Sequence, residues 1–236
     1  MPEAPIARVG ARAYTVPTDA PEADGTLEWD RTTLILVELE AGGMTGLGYT
    51  YADACLVPFI KDTLAPIVVG KSAFDIPVLA AALWRAIRNL GRPGLTAAAI
   101  SAIDIAAWDL KAKLLACPLA RLLGKARDRV MIYGSGGFTS YDDDRLRDQL
   151  SGWVERDGCR WVKMKIGSEP ERDPQRVKAA RGAIGDHGLF VDANGAVTAK
   201  QALTLAARFD QQGVLWFEEP VSSDDLDGLS LVRDRS

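Results

Sequence analysis

Imidazole and thiol side chains are scarce in this chain of 236 residues, which holds one histidine, His187, and three cysteines, Cys55, Cys117 and Cys159. An odd number of cysteines at wide spacing builds neither a disulfide framework nor a zinc knuckle. Reduced, buried thiols in a cytoplasmic protein are the expectation. Basic charge is not in excess either. Lys and Arg number 28 against 32 Asp and Glu, giving a net charge of −4 and a pI near 5.2. Nucleic acid is therefore not an expected partner, because phosphate binding needs a basic surface. No run of eighteen apolar residues occurs, so no membrane span is expected. The first ten residues carry Arg8 but no apolar stretch of the kind a signal peptide requires. What remains is ordinary for a globular protein: 47% hydrophobic and 25% charged residues.

The first 125 residues read as a small α+β domain. Thr32-Thr33-Leu34-Ile35-Leu36-Val37-Glu38-Leu39 is rich in β-formers, and Gly42-Gly43 then Gly46-Leu47-Gly48-Tyr49 complete a hairpin. Before it, Thr18 to Asp30 carries two Pro/Asp/Gly clusters and reads as a flexible loop. Residues 76–90 predict a helix. So do residues 97–115, where Ile100, Ile103, Ala107, Leu110 and Leu114 step by three and four along one buried face.

From residue 126 to 236 the pattern changes to strand, helix, strand, helix, which implies a parallel sheet. Apolar runs at Val130–Tyr133, Trp161–Ile166, Leu189–Asp192 and Val214–Glu219 each end near Gly or Pro, and Ala199 to Phe209 between them is helical. Val162, Val191 and Phe217 recur at intervals of 29 and 26 residues, close to the roughly 30 per unit of a (β/α)₈ barrel. A doubly wound sheet is the alternative, but no G-x-G-x-x-G follows the first of these strands.

Three successive strands end in charged residues, the end at which parallel α/β folds collect their chemistry. Lys163 and Lys165, two apart on one strand, share a face. Two ammonium groups side by side disfavour each other's charge, which lowers at least one pKa and suits a lysine to general-base work. On its own, K-x-K is also common on solvated strands. Asp192-Ala193-Asn194 sets a carboxylate and an amide at the next strand end, where they suit a hard cation or a hydroxylated ligand; a turn role before Gly195 competes. Glu218-Glu219-Pro220 follows one unit later. Adjacent carboxylates at a buried strand end are costly unless paired or metal-bound, and alternation puts only one of them on the site face. His187, in Gly185-Asp186-His187-Gly188, falls at the opposite end of its strand from Asp192 and carries no expected catalytic role.

Lysine pair, Asp-x-Asn and Glu-Glu-Pro, in this order on consecutive strands, resemble the mandelate racemase and muconate lactonizing branch of the enolase superfamily. Ser101-Ala102-Ile103-Asp104-Ile105-Ala106-Ala107-Trp108-Asp109-Leu110-Lys111 resembles the capping-domain helix of that family, and Leu122-Leu123-Gly124 the approach to its barrel. The resemblance covers nearly the whole chain. It implies an α+β capping domain over 1–125 followed by the first four βα units of a TIM-type barrel over 126–236. It further implies Mg²⁺ held by Asp192 and Glu218, with Lys165 as the base on one face of the substrate. Lys163 would hold the substrate carboxylate and depress the pKa of Lys165, and Asn194 would lie close to metal and substrate. The implied reaction removes the proton next to a carboxylate through an enediolate. Dehydration of a sugar acid or hydroxy acid is favoured; racemisation, epimerisation or cycloisomerisation is the alternative. Loops around Thr15 to Arg31 and after the hairpin close over the site in the family, which makes Trp29, Tyr49 and Tyr51 candidate substrate contacts, with capping-domain packing the competing role. A homo-oligomer is implied as well.

One departure stands out. The family's third metal ligand and the acid or base on the opposite substrate face lie on later strands, beyond residue 236. The simplest expectation is a fragment of a longer enzyme; a truncated, inactive remnant is the competitor.

Overall fold

The computed structural model describes residues 4–236. The chain divides into two compact units: one runs up to Pro17 and resumes at Arg31–Asp128, and the other comprises Thr18–Asp30 and Arg129–Ser236.

The antiparallel sheet has the order β1-β2-β3, with β1 at Arg8–Ala23, β2 at Glu28–Ala41 and β3 at Met44–Tyr51, and all of it outside Thr18–Asp30 belongs to the first unit. The expected hairpin is present: β2 and β3 pair from Leu34–Tyr51 to Ala41–Met44 around Gly42-Gly43. Helices α1 (Ile76–Ala86) and α2 (Leu95–Leu114) follow. The first of these ends at Ala86, short of the expected 90. Ile35, Val37 and Leu39 alternate onto the buried sheet face and meet Ile100, Ile103 and Leu110 of α2. Helix and strand lie in backbone contact because β3 carries glycine where α2 crosses. A Cβ on Gly46 would stand 2.2 Å from Ala106 O, and one on Gly48 2.0 Å from Ala102 O, so no larger residue fits. Asp109 and Lys113 of α2 then bind the open edge of β3, at Leu47 N (2.7 Å) and Thr45 O (2.8 Å).

Residues 18–30 are not the loop their composition suggests. They form the far ends of β1 and β2 and the turn between them. Asp24 Oδ1 accepts from Thr26 N (2.7 Å) and Leu27 N (2.8 Å), and Asp24 N donates to Leu27 O (2.9 Å). The proline of that stretch, Pro21, sits on β1, an edge strand, where a missing N–H costs no interior ladder bond.

The second unit holds a parallel sheet of order β4-β5-β6-β7: Gly134–Gly136, Trp161–Lys165, Gly188–Asp192 and Val214–Glu218. Helices α3 (Asp143–Glu155), α4 (Asp173–Ile184) and α5 (Ala199–Asp210) connect them, and α6 (Leu226–Arg235) follows β7. Val162, Met164, Leu189 and Val191 face these helices and pack on Leu146, Val177, Ala180 and Leu205. This succession of parallel strand and helix is the partial enolase-like barrel expected. Val130–Tyr133 corrects another expectation: the run is no strand, and Val130, Met131 and Ile132 are 65–67% exposed. The strand is instead the glycine-rich Gly134–Gly136, whose small residues admit Trp153 of α3 against the sheet.

Among the described residues no helix is long and apolar enough to cross a membrane.

Candidate active site

The register of the parallel sheet sets the site. Lys163 pairs with Phe190 and Phe190 with Trp216; Lys165 pairs with Asp192 and Asp192 with Glu218. Each such row points to one face, opposite the helix-packed row of Met164, Val191 and Phe217. A bulge makes this possible. Leu189 pairs with Val214 while Phe190 pairs with Trp216, so Leu215 is an extra residue in β7. Because a one-residue slip moves a strand's side chains to the other face, the bulge is what aligns Glu218 with Asp192.

The charged row converges on one oxygen. Asp192 Oδ2 lies 2.7 Å from Lys165 Nζ and 3.1 Å from Lys163 Nζ. Lys163 also donates to Glu218 Oε2 at 2.6 Å. Lys165 reaches Asn194 Oδ1 at 2.9 Å, Asn194 N donates to Asp192 Oδ1 at 3.0 Å, and Asn194 Nδ2 reaches Glu219 Oε2 at 3.3 Å. Lys163 and Asp192 are 6% and 2% exposed. An aromatic floor lies beneath: Lys163 Nζ stands 5.5 Å from the Tyr133 ring centroid, and Tyr133 meets Phe190 edge to face at 5.5 Å.

Electrostatics follow from this crowding. Burial alone would push the Lys163 pKa down, but hydrogen bonds to Glu218 and Asp192 outweigh it and hold the ammonium above its ordinary value. At Lys163 the neighbouring lysine does not set the direction; the carboxylates that its Nζ meets at 2.6 and 3.1 Å do. Asp192 mirrors this. Burial raises its pKa, yet the hydrogen bonds from Lys165, Asn194 N and Lys163 prevail and keep it below the usual carboxylate range.

The expected residues Lys163, Lys165, Asp192, Asn194 and Glu218 are therefore brought together. Trp29 belongs to the same unit, but its indole N–H is spent on Glu22 (2.8 Å) and its ring packs edge-on to Phe138 (5.6 Å). Tyr49 and Tyr51 lie on β3 of the first unit, exposed and edge to face at 6.0 Å. Beyond the expected set, Glu219 joins the rim. Its backbone adopts φ +43°, as that of Asn194 adopts φ +48°, and such left-handed, non-glycine residues cluster at functional sites. Strict alternation had placed Glu219 on the far face; the left-handed kink breaks that alternation.

The turn of the β1–β2 hairpin is seated on these strand ends. Thr139 N and Oγ1 donate to Ala23 O and Asp24 O at 2.8 Å each, and Ser140 Oγ to Pro21 O at 2.8 Å. A Cβ on Gly25 would lie 2.3 Å from Ala193 O and 2.7 Å from Ile166 O. A cavity of about 220 Å³ opens beside the charged row, between Thr26, Asn194, Glu219 and Ser222.

Hard carboxylate oxygens from neighbouring strands are thus gathered on one cation, the Lys163 ammonium, at the C-terminal end of a parallel sheet. Residues 12–124 match the mandelate racemase / muconate lactonizing enzyme N-terminal domain, and residues 145–236 match the enolase C-terminal domain-like family. The chain belongs to the mandelate racemase / muconate lactonizing enzyme family. It is 35% identical over 220 residues to a D-galactarolactone cycloisomerase of Agrobacterium fabrum, covering 91% of this chain and 58% of that protein. A mandelate racemase/muconate lactonizing enzyme-like protein from Rubrobacter xylanophilus superposes with TM-score 0.96 at 54% identity, over 98% of this chain and 65% of that one. L-talarate/galactarate dehydratase from Salmonella typhimurium, crystallised with Mg and L-lyxarohydroxamate, superposes with TM-score 0.89 at 28% identity, over 99% and 62%. In each comparison the chain spans less than two thirds of the relative's length.

Proposed function

We propose that the protein is a magnesium-dependent enzyme that removes the proton α to the carboxylate of a small acid, with dehydration of a sugar acid or hydroxy acid as the reaction. One observation carries the reading: Asp192 and Glu218 already share a cation, the Lys163 ammonium, at 3.1 and 2.6 Å. A set of hard oxygens converging on a positive charge suits Mg²⁺, which takes one or two carboxylates together with water and ligand oxygens. Among the described residues no group of three His, Cys, Asp or Glu gathers for a metal; Asp192 and Glu218 are the two ligands that this stretch of chain would supply. When bound, the ion stabilises the negative charge that builds on the substrate carboxylate as the proton leaves.

The residues of this chain do the rest. Lys165 is the base, reaching the α-carbon from the face where Asn194 stands. Asp192 and Asn194 accept from its ammonium at 2.7 and 2.9 Å, and Lys165 would act as base from the neutral amine, after that ammonium has given a proton to solvent. Lys163 then turns from the carboxylates to the substrate carboxylate. Asn194, bound to Glu219, presents its amide to a substrate hydroxyl. The polar cavity between Thr26, Asn194, Glu219 and Ser222 supports a hydroxylated acid over an apolar one. A second reading, cycloisomerisation, is favoured by the 35% identity to a cycloisomerase; both share the first proton transfer.

The test is α-proton exchange in D₂O with Mg²⁺ and a panel of sugar acids and lactones. Exchange that is lost in Lys165→Ala and on chelation is the expected result, and a product that has lost one water selects dehydration over cycloisomerisation, whose product keeps the mass of its substrate. Folded protein with no exchange on any acid, and no Mg²⁺ affinity sensitive to Asp192→Asn, would favour a catalytically inert chain.

A further inference from the structure

Lys165 is tied through its backbone, and two bonds of the tie come from outside the sheet. Lys165 N donates to Gly137 O at 3.0 Å, and Ile166 N to Asp192 O at 2.9 Å. These extend the β4–β5 and β5–β6 ladders past the last paired residues. Beyond them β4 turns away at Phe138, and side chains from the first turn of α4 take over. Arg176 donates from Nη1 to Lys165 O at 3.4 Å and from Nη2 to Phe138 O at 3.0 Å. Asp173 Oδ2 accepts from Gly167 N at 2.8 Å. One residue thus satisfies the carbonyl of the base, and the other the N–H two residues on.

Both side chains are buried, at 6% and 0% exposure. Among the ion pairs of the described residues none joins them directly, and Asp173 Oδ1 has no hydrogen-bond partner. Burying charge without a direct counter-ion is costly, and apolar residues of equal size commonly pack better. A role in packing alone does not account for this pair. The backbone bonds do, because the acceptors and the donor they serve flank the base. Arg176 also joins Lys165 to Phe138, whose ring packs edge-on against Trp29 and Tyr141 and whose neighbour Thr139 holds the hairpin.

We propose that Arg176 and Asp173 are positioning residues for Lys165: they stand in for the ladder bonds missing where β4 and β5 part, and so fix the direction in which the Lys165 side chain leaves the sheet. The assignment rests on Lys165 being the base. A base displaced by about 1 Å loses up to about 100-fold in rate, so the effect falls on turnover and not on affinity for the acid.

The experiment compares the protein with Arg176→Met, Arg176→Lys and Arg176→Ala. Expected for Arg176→Met is a fall in the kcat of α-proton exchange of about 10- to 100-fold with little change in KM, and an unchanged Mg²⁺ affinity. Millimolar guanidinium should restore part of the rate of Arg176→Ala, a rescue that loss of stability alone would not give. A second readout is independent of activity. In protein carrying [13Cε]lysine, the Lys165 resonance, recognised by its loss in Lys165→Met, should shift or split in Arg176→Met at an unchanged circular dichroism spectrum. If Arg176→Met does not fold, Arg176→Lys, which keeps the charge but loses the fork, is read in the same way. An unmoved Lys165 resonance in a folded variant overturns the proposal, as does a loss confined to KM. Absence of exchange in the parent protein would instead sink the functional reading, while the resonance still decides the positioning.

Discussion

The first unit encloses Ile35, Val37, Leu39, Ile60, Ile103 and Leu110 with no charged side chain buried among its described residues, whereas the second buries Lys163, Asp173, Arg176 and Asp192 alongside Val162, Met164 and Val191. Both interiors form from the same alternation of apolar residues. They differ in what is tolerated inside. A carboxylate or ammonium taken out of water costs several kcal/mol unless hydrogen bonds and counter-charges replace the solvent. In the second unit they do so at Asp192, which collects Lys163, Lys165 and Asn194 N, and only in part at Asp173. The first unit is therefore organised for stability. The second gives up part of its stability to hold charge in fixed places, as expected of a site organised before its ligand arrives.

Four measurements break or sharpen this contrast. The largest effect is expected at Lys165→Met: a loss of about 10²- to 10⁴-fold in α-proton exchange, the usual contribution of a general base, with the fold kept because Lys163 still faces Asp192. Exchange that survives the change would remove Lys165 from the chemistry. Next is Ile103→Ala in the first unit, fully buried against the sheet. It should lower the urea-unfolding free energy by about 2–5 kcal/mol, equally at pH 5 and pH 8, since no titrating group is involved.

The third concerns pH. Burial raises the Asp173 carboxyl from 3.8 to about 6. An acid that holds its proton more tightly when folded adds stability below pH 3.8 and loses it as pH rises through 6. Asp173→Asn keeps an acceptor for Gly167 N but cannot ionise. It should match the parent near pH 4 and exceed it by about 3 kcal/mol above pH 7, read from urea midpoints across that range. Parallel pH profiles would show that the Asp173 charge is compensated after all. The smallest effect is expected at Thr198→Ala. Thr198 and Gln201 form a reciprocal cap at the start of α5, and its loss should cost about 1 kcal/mol without touching exchange.

Legibility in the sequence followed chemistry more than geometry. Strand spacing near 30 residues and charged strand ends were enough to bring Lys163, Lys165, Asp192 and Asn194 to one site with one of Glu218 and Glu219, because the period of two along a strand fixes which side chains are neighbours. That rule fails where the backbone departs from regularity. Nothing in Val214-Leu215-Trp216-Phe217 announces a bulge at Leu215, so Glu218 was matched to Asp192 by resemblance and not by register. Glu219 was sent to the wrong face for a similar reason. Val130–Tyr133 looked like a strand because hydropathy cannot tell a buried run from an exposed one. The hairpin end at 18–30 was hidden by Pro21, which an edge strand accepts, and by Asp24-Gly25, which form its turn. Asp173 and Arg176 did leave a signal. With Val177, Ala180 and Ile184 they lie three and four residues apart on the buried face of α4, and charge on an apolar helix face demands a partner.

Gly25 has a consequence for redesign. Its Cα sits 3.3 Å from where a Cβ on Gly167 would be, and any side chain of its own would strike Ala193 O and Ile166 O. The hairpin tip is thus docked main chain to main chain, at one point with no side-chain identity. Flanking letters such as Thr26 and Leu27 are free to vary, and so is the chemistry they present, while the docking point stays the same. Hairpins from relatives should be exchangeable as cassettes provided glycine is kept at this position, and a Gly25→Ala graft should lift off its seat whatever else it carries.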